Sequence, residues 1–206
     1  MKAHIVFAHP NLASFNGQLR NAAIDFFNEY KIEVTISDLY QTNFKASADE
    51  NDFISLANPT YFDLQFEQTQ AILNGSFVDD IKLEQRLLSQ ADLIIFQFPL
   101  WWYSMPGLLK GYIDRVFSMG WAYGGVQALR GKKILVSTTT GAPEMAWTDD
   151  NRGSIKDIFK HLFIGTFGLT GIVPLEPFIA YGAKRFTEDQ KNETLNSFKN
   201  HLKGLL

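Results

Sequence analysis

Ala91 to Gly124 reads ADLIIFQFPLWWYSMPGLLKGYIDRVFSMGWAYG. Leu93, Ile94, Ile95, Phe96 and Phe98 make an apolar run that stops at Pro99, the pattern of a strand covered on both faces, as in a parallel sheet. From Pro106 onward, Leu108, Leu109, Tyr112, Ile113, Val116 and Phe117 recur at helical spacing, behind a proline suited to a first helical turn. Between strand and helix stand Trp101, Trp102 and Tyr103 in succession, a poor composition for an exposed turn unless something flat packs on it. Open α/β sheets bind ligands outside the carboxyl ends of their strands, so this aromatic loop falls where a ligand belongs. Packing in the core, or against another subunit, is the equal alternative.

The strand–helix alternation continues on both sides. Ala3, Ile5, Val6, Phe7 and Ala8 form a first strand, a polar segment runs from His9 to Asn16, and Leu19, Ala22, Ala23, Phe26, Phe27 and Tyr30 mark one face of a helix. A loop from a first parallel strand into a helix N-terminus favours an anion, because free N–H groups and the helix dipole meet there. Ser14 and Asn16 add side-chain donors, and His9 a donor or a charge; Ser14 serving only as an N-cap is the other reading. Neither GxGxxG nor GxxxxGK[ST] occurs, so this is not a dinucleotide fingerprint or a P-loop.

Further along, Glu33 to Leu39 reads as a strand and Val78 to Gln90 as a charged helix. Ile134 to Ser137 is a buried strand running into Thr138 to Pro143, whose hydroxyls suit either the polar edge of a flat ring or a simple turn. Ile158, Phe159, Leu162, Phe163 and Phe167 keep helical spacing around His161, Ile172 to Ala180 is a fifth strand, and Thr187 with Gln190 forms a capping box for a last helix.

At 206 residues and 46% hydrophobic content the chain can bury one large core. A net charge of −3 without a basic stripe argues against nucleic acid. No apolar run approaches the roughly 20 residues that span a bilayer, and no signal-peptide pattern precedes the first strand, so a cytoplasmic protein is expected. Cysteine is absent, which excludes disulfides, thiolate catalysis and thiolate metal sites; no metal is expected, and redox chemistry must come from a bound cofactor. The 18 phenylalanines fit a site of ring faces or, equally, a Phe-rich core.

Phe96-Gln97-Phe98-Pro99-Leu100, Trp102, Pro106, Leu109-Lys110-Gly111, Arg115-Val116-Phe117 and Ala122-Tyr123 resemble the flavin-binding segment of the NAD(P)H:quinone oxidoreductase (DT-diaphorase-like) family. The Trp121 to Gly124 ending is closer to its bacterial branch, which includes drug-activity modulators and accessory oxidoreductases of Kef potassium-efflux systems. The resemblance implies an α/β, flavodoxin-like, doubly wound sheet of five parallel strands, one domain over 1–206, and an insertion over 41–77 that wraps cofactor and partner subunit. It implies FAD, with FMN as the alternative, and NAD(P)H as co-substrate in ping-pong reduction of quinones.

By the same resemblance His9, Ser14, Phe15 and Asn16 belong to the flavin-phosphate loop, and Thr139, Thr140 and Gly141 match a Thr-Thr-Gly-Gly run whose second glycine is Ala142 here. Pro99, Leu100, Trp101, Trp102 and Tyr103 lie along the flavin ring, with Trp102 and Tyr103 as ring walls and Trp101 narrowing the pocket. A phosphate-contacting glutamine of the family falls at Asp63, with Gln65 the nearest substitute. Trp147 and Gly153 stand where the mammalian branch has a tyrosine and a histidine that assist charge movement, so no proton relay is named. A homodimer with interface sites is implied, Tyr123 facing the other subunit's flavin. Two alternatives remain: a flavodoxin-type electron carrier, and a regulatory subunit whose partner is a membrane potassium-efflux transporter.

Overall fold

In the computed structural model, which describes residues Met1–Leu206, the apolar runs become one parallel sheet. Its strands are β1 (Lys2–Phe7), β2 (Glu33–Asp38), β3 (Leu93–Pro99) and β4 (Lys133–Thr139), and a fifth position is filled by two short segments, β5 (Val173–Pro174) and β6 (Phe178–Ala180). The order is β2-β1-β3-β4-β5, with β6 also on β4 and every pairing parallel, the doubly wound order expected from the sequence. The single strand expected over 172–180 is broken at Leu175 to Pro177. Leu175 N–H still reaches the Ile134 carbonyl at 2.8 Å, but Pro177 carries no N–H to continue the ladder.

The helices are α1 (Phe15–Glu29), α2 (Leu64–Asn74), α3 (Asp79–Gln90), α4 (Gly107–Val116), the short α5 (Ile155–Ile158) and α6 (Gly168–Thr170), and α7 (Glu188–Lys203). Ile5, Phe7, Ile95 and Leu135 pack under α1 and α7, whereas Val6, Ile94, Phe96 and Val136 pack under α3 and α4. Successive strand residues therefore feed opposite cores, which is why these strands read as unbroken apolar runs instead of alternating ones. The capping box at Thr187 and Gln190 forms at the start of α7. Phenylalanine mostly serves the core, with Phe7, Phe27, Phe96, Phe98, Phe159, Phe167 and Phe198 all fully buried; the rings left near the surface around the aromatic loop are Trp and Tyr.

The helical spacing around His161 is realised as a π-helix over His161–Phe167. Phe159, Phe163 and Phe167 stack along it, consecutive centroids 5.9 Å apart with planes within 24°, so aromatic packing accompanies the widened turn. No helix is long and apolar enough to cross a membrane.

The 41–77 segment contributes α2 and a small core of Phe53, Ala71 and Phe77 with Ile81 of α3, closed by the bond from Ile54 N–H to the Ser76 carbonyl at 2.7 Å. It is joined to the sheet layers through α4. A Cβ on Gly111 would sit 2.1 Å from the Ala46 carbonyl oxygen, so α4 and residues 45–48 meet through bare backbone. Gly111→Ala is expected to lower stability by about 1–3 kcal/mol, as overpacking does; thermal unfolding against wild type checks it, and an unchanged midpoint would mean this approach relaxes freely.

Candidate active site

The loop after β1 enters α1 at Ser14, whose Oγ accepts the Gly17 N–H at 3.2 Å. Ser14 is thus the N-cap, a role worth about 1 kcal/mol. The N–H groups of Phe15 and Asn16 in the first turn have no acceptor within the chain. Facing them are Pro99, Leu100 and Trp101 at the end of β3, and Thr139, Thr140 and Gly141 at the end of β4, around a cleft of about 520 Å³. Lys184 and Lys191 border it, and no carboxylate does. Sequence reading missed both lysines; Lys184 comes from the 3₁₀ turn over Ala183–Arg185, and Lys191 from α7, which packs against α1.

Asn16 does not present its side chain as a free phosphate donor. It is buried, its amide donates to Thr139 Oγ1 at 2.8 Å, and its Oδ1 accepts from Gln97 Nε2 at 2.8 Å. It braces the end of β4 to the start of α1 and leaves anion binding to backbone N–H groups. Thr140 is committed in the same way, its hydroxyl donating to the Ala142 carbonyl at 2.6 Å and accepting the Gly182 N–H at 3.2 Å. The N–H groups of Gly141 and Ala142 stay free. Burial pushes the His9 imidazole below its ordinary value, so at neutral pH it offers a ring donor more than a charge; its ring lies 5.9 Å from that of Trp101.

Beyond Trp101 the chain reverses in a two-residue turn, with paired 3.0 Å bonds between the backbones of Trp101 and Ser104. Its central residues, Trp102 and Tyr103, both have left-handed backbone, φ 49° and 59°. Such turns favour Asn-Gly, and non-glycine residues held at positive φ mark strain that clusters at functional sites. The turn opens a second recess of about 540 Å³, shared with the first cleft through Leu100 and Gly141. Tyr103 meets Trp147 edge to face at 5.9 Å, and the Arg152 guanidinium lies 5.9 Å from the Trp147 ring centroid. Trp102 is 95% exposed and borders the recess. Arg185 completes the rim.

Two residues singled out from the sequence lie elsewhere. Tyr123 and Gln65 meet each other, Oη to Nε2 at 3.2 Å, in a separate cavity of about 720 Å³ between α2, α4 and the π-helix. Within one chain neither reaches the cleft. His161 lines the same cavity.

Over residues 1–205 the chain matches the family described as having a flavodoxin-like fold. It is 36% identical to ribosyldihydronicotinamide dehydrogenase [quinone] of Mus musculus over 211 residues, covering 99% of this chain and 91% of that protein. The chain belongs to the NAD(P)H:quinone oxidoreductase family. NAD(P)H dehydrogenase [quinone] 1 of Cavia porcellus is 32% identical, covering 99% of this chain and 77% of that one. A crystal structure of a candidate quinone reductase from Klebsiella pneumoniae superposes with a TM-score of 0.93 at 32% identity, covering 100% of this chain and 85% of that one. This member of the NAD(P)H:quinone oxidoreductase family is an oxidoreductase. Having no cysteine, it must bind its redox group, and what its cleft offers is free N–H groups, lysines and rings.

Proposed function

We propose that this chain is a flavin-dependent NAD(P)H oxidoreductase that reduces quinones and similarly flat acceptors by two-electron, ping-pong transfer, working as a homodimer with FAD as its flavin and FMN as the alternative. The observation that carries the reading is the meeting of an anion cradle and a ring-lined recess at the ends of β3 and β4, joined through Leu100 and Gly141. The residues present fit a flavin. Phe15 and Asn16 N–H groups at a helix N-terminus, with Lys184 near and Lys191 held by Glu188 at 2.6 Å, suit its phosphate. The free N–H groups of Gly141 and Ala142 suit the polar edge of its ring.

A flavin held there supplies the two-electron exchange with NAD(P)H that no side chain of this protein can. The protein's part is position and field: the N–H groups of Gly141 and Ala142 are fixed donors for negative charge developing at the ring edge, and Tyr103 and Trp147 wall the space. A slot of this size takes one flat partner at a time, so NAD(P)H and quinone compete for it. Dimerisation is supported by Phe66, Leu73, Ile164 and Leu169, exposed on α2, the π-helix and α6, the segments that flank the Tyr123 cavity.

The test is the absorbance spectrum of the purified protein before and after anaerobic NADH or NADPH, with the released cofactor weighed by mass spectrometry. FAD that bleaches and recovers with quinone is the expected outcome. Bound flavin that does not bleach would redirect the reading to an electron carrier. A colourless protein that cannot be reloaded would mean that the aromatic turn is only packing.

A further inference from the structure

The recess beneath the aromatic turn has an unusual charge. The chain as a whole carries −3, yet the only charged side chains lining this recess are Arg152 and Arg185, with no carboxylate among them. Neither guanidinium has a carboxylate within 4.0 Å, whereas Arg20 and Arg115 are both ion-paired. Arg152 faces the Trp147 ring, which fixes it beside the wall against which a flat molecule would stack. Arg185 comes from a different segment, the last residue of the 3₁₀ turn that follows β6, so two parts of the chain bring like charges to one rim. An anion entering this recess therefore meets positive charge from both segments and no carboxylate.

We infer that Arg152 and Arg185 select acceptors that are flat, aromatic and anionic, a ring bearing a carboxylate or sulfonate whose oxygens the guanidinium forks receive while the ring stacks against Tyr103 and Trp147. Guanidinium suits this task because its planar fork matches an oxyanion in a bidentate way and its face tolerates an aromatic neighbour. The inference rests on the reductase reading given above and names the substrate class of that site. Both arginines are exposed, so each pair acts through water and salt and contributes modestly.

The experiment compares a matched pair of acceptors, 1,4-naphthoquinone and 1,4-naphthoquinone-2-sulfonate, with the flavin-loaded protein, its Arg152→Gln and Arg185→Gln variants and the double variant. The quantity read is the ratio of kcat/KM for the sulfonate over the neutral quinone. Each single variant is expected to lower the ratio by about threefold and the double variant by about eightfold, the size of one and two exposed ion pairs. Raising the salt is expected to lower the ratio in wild type and to leave it flat in the double variant. A readout without turnover accompanies it: quenching of tryptophan fluorescence by naphthalene-1-sulfonate, whose dissociation constant is expected to rise by the same factor in the double variant. A ratio and dissociation constant that do not move in the double variant would overturn the inference. So would variants that raise KM for NADH or NADPH and spare the acceptor ratio, since the rim would then receive the phosphates of the nicotinamide. Wild-type protein that reduces neither quinone would instead defeat the reductase reading itself, and the fluorescence titration would still decide whether the arginines hold a flat anion.

Discussion

Replacing Trp102 and Tyr103 together by Asn-Gly is expected to make the protein more stable and nearly inactive. Both residues sit at positive φ in a two-residue turn whose flanking bonds, Trp101 to Ser104, are already ideal. Each L-residue with a bulky side chain is strained there, and Asn-Gly is the pair that this turn favours, so unfolding should become harder by about 1–3 kcal/mol. The backbone N–H groups of the turn survive the change; only the rings go. If Trp102 and Tyr103 are the walls that hold a flat partner in register, kcat/KM for a quinone falls by roughly 100-fold, the scale of a lost positioning contact. Thermal unfolding and steady-state kinetics on one preparation separate the two effects. A variant that is stabilised and fully active would show that the strained rings have no role in catalysis.

Arg115→Leu is expected to be strongly destabilising. This guanidinium is 1% exposed on its side chain, donates from Nε to Asp52 at 2.9 Å, from Nη1 to Asp80 at 2.8 Å and to the Lys45 carbonyl at 3.1 Å, and lies 4.7 Å from the Phe44 ring centroid. It joins α4, the start of α3 and the 41–77 segment at one point. Removing one partner of a buried pair leaves the other charge without compensation, a loss of about 3–5 kcal/mol. Asp52, 2% exposed on its side chain, would keep Lys45 at 2.9 Å and the Asp49 N–H at 3.3 Å. Adding Asp52→Asn removes the stranded charge, so the double variant should be more stable than Arg115→Leu alone. Chemical denaturation of the three variants checks this; equal stabilities for the single and double variants would mean that Lys45 already neutralises Asp52.

The fold was largely legible in the chain because its determinants are local. Apolar runs ending at Ala8, Pro99 and Ser137 specify strands covered on both faces, Leu19 to Phe27 and Leu109 to Val116 carry helical spacing, and Thr187 with Gln190 announces its own helix. The exceptions were also local but opposed. Pro174 and Pro177 interrupt a strand whose apolar pattern runs on, and Phe159, Phe163 and Phe167 keep a four-residue spacing in a segment that forms a π-helix.

The site divides along the same line. Which segments compose it was readable, since the polar loop before α1, the aromatic turn after β3 and the threonine run after β4 all follow strands, and parallel strands bring their carboxyl ends to one edge. What each side chain does there was not. Asn16 is bound by Gln97 and Thr139, 81 and 123 residues away, and Lys184, Lys191, Arg152 and Arg185 join the rims from segments with no motif of their own. The sequence by itself determined the layers, the edge at which a ligand binds and the rings placed at it, because hydrophobic periodicity and turn chemistry act over a few residues. Only the tertiary structure decided which donors remain free and where the cations gather, because hydrogen bonding and charge depend on distances that the folded chain alone brings about.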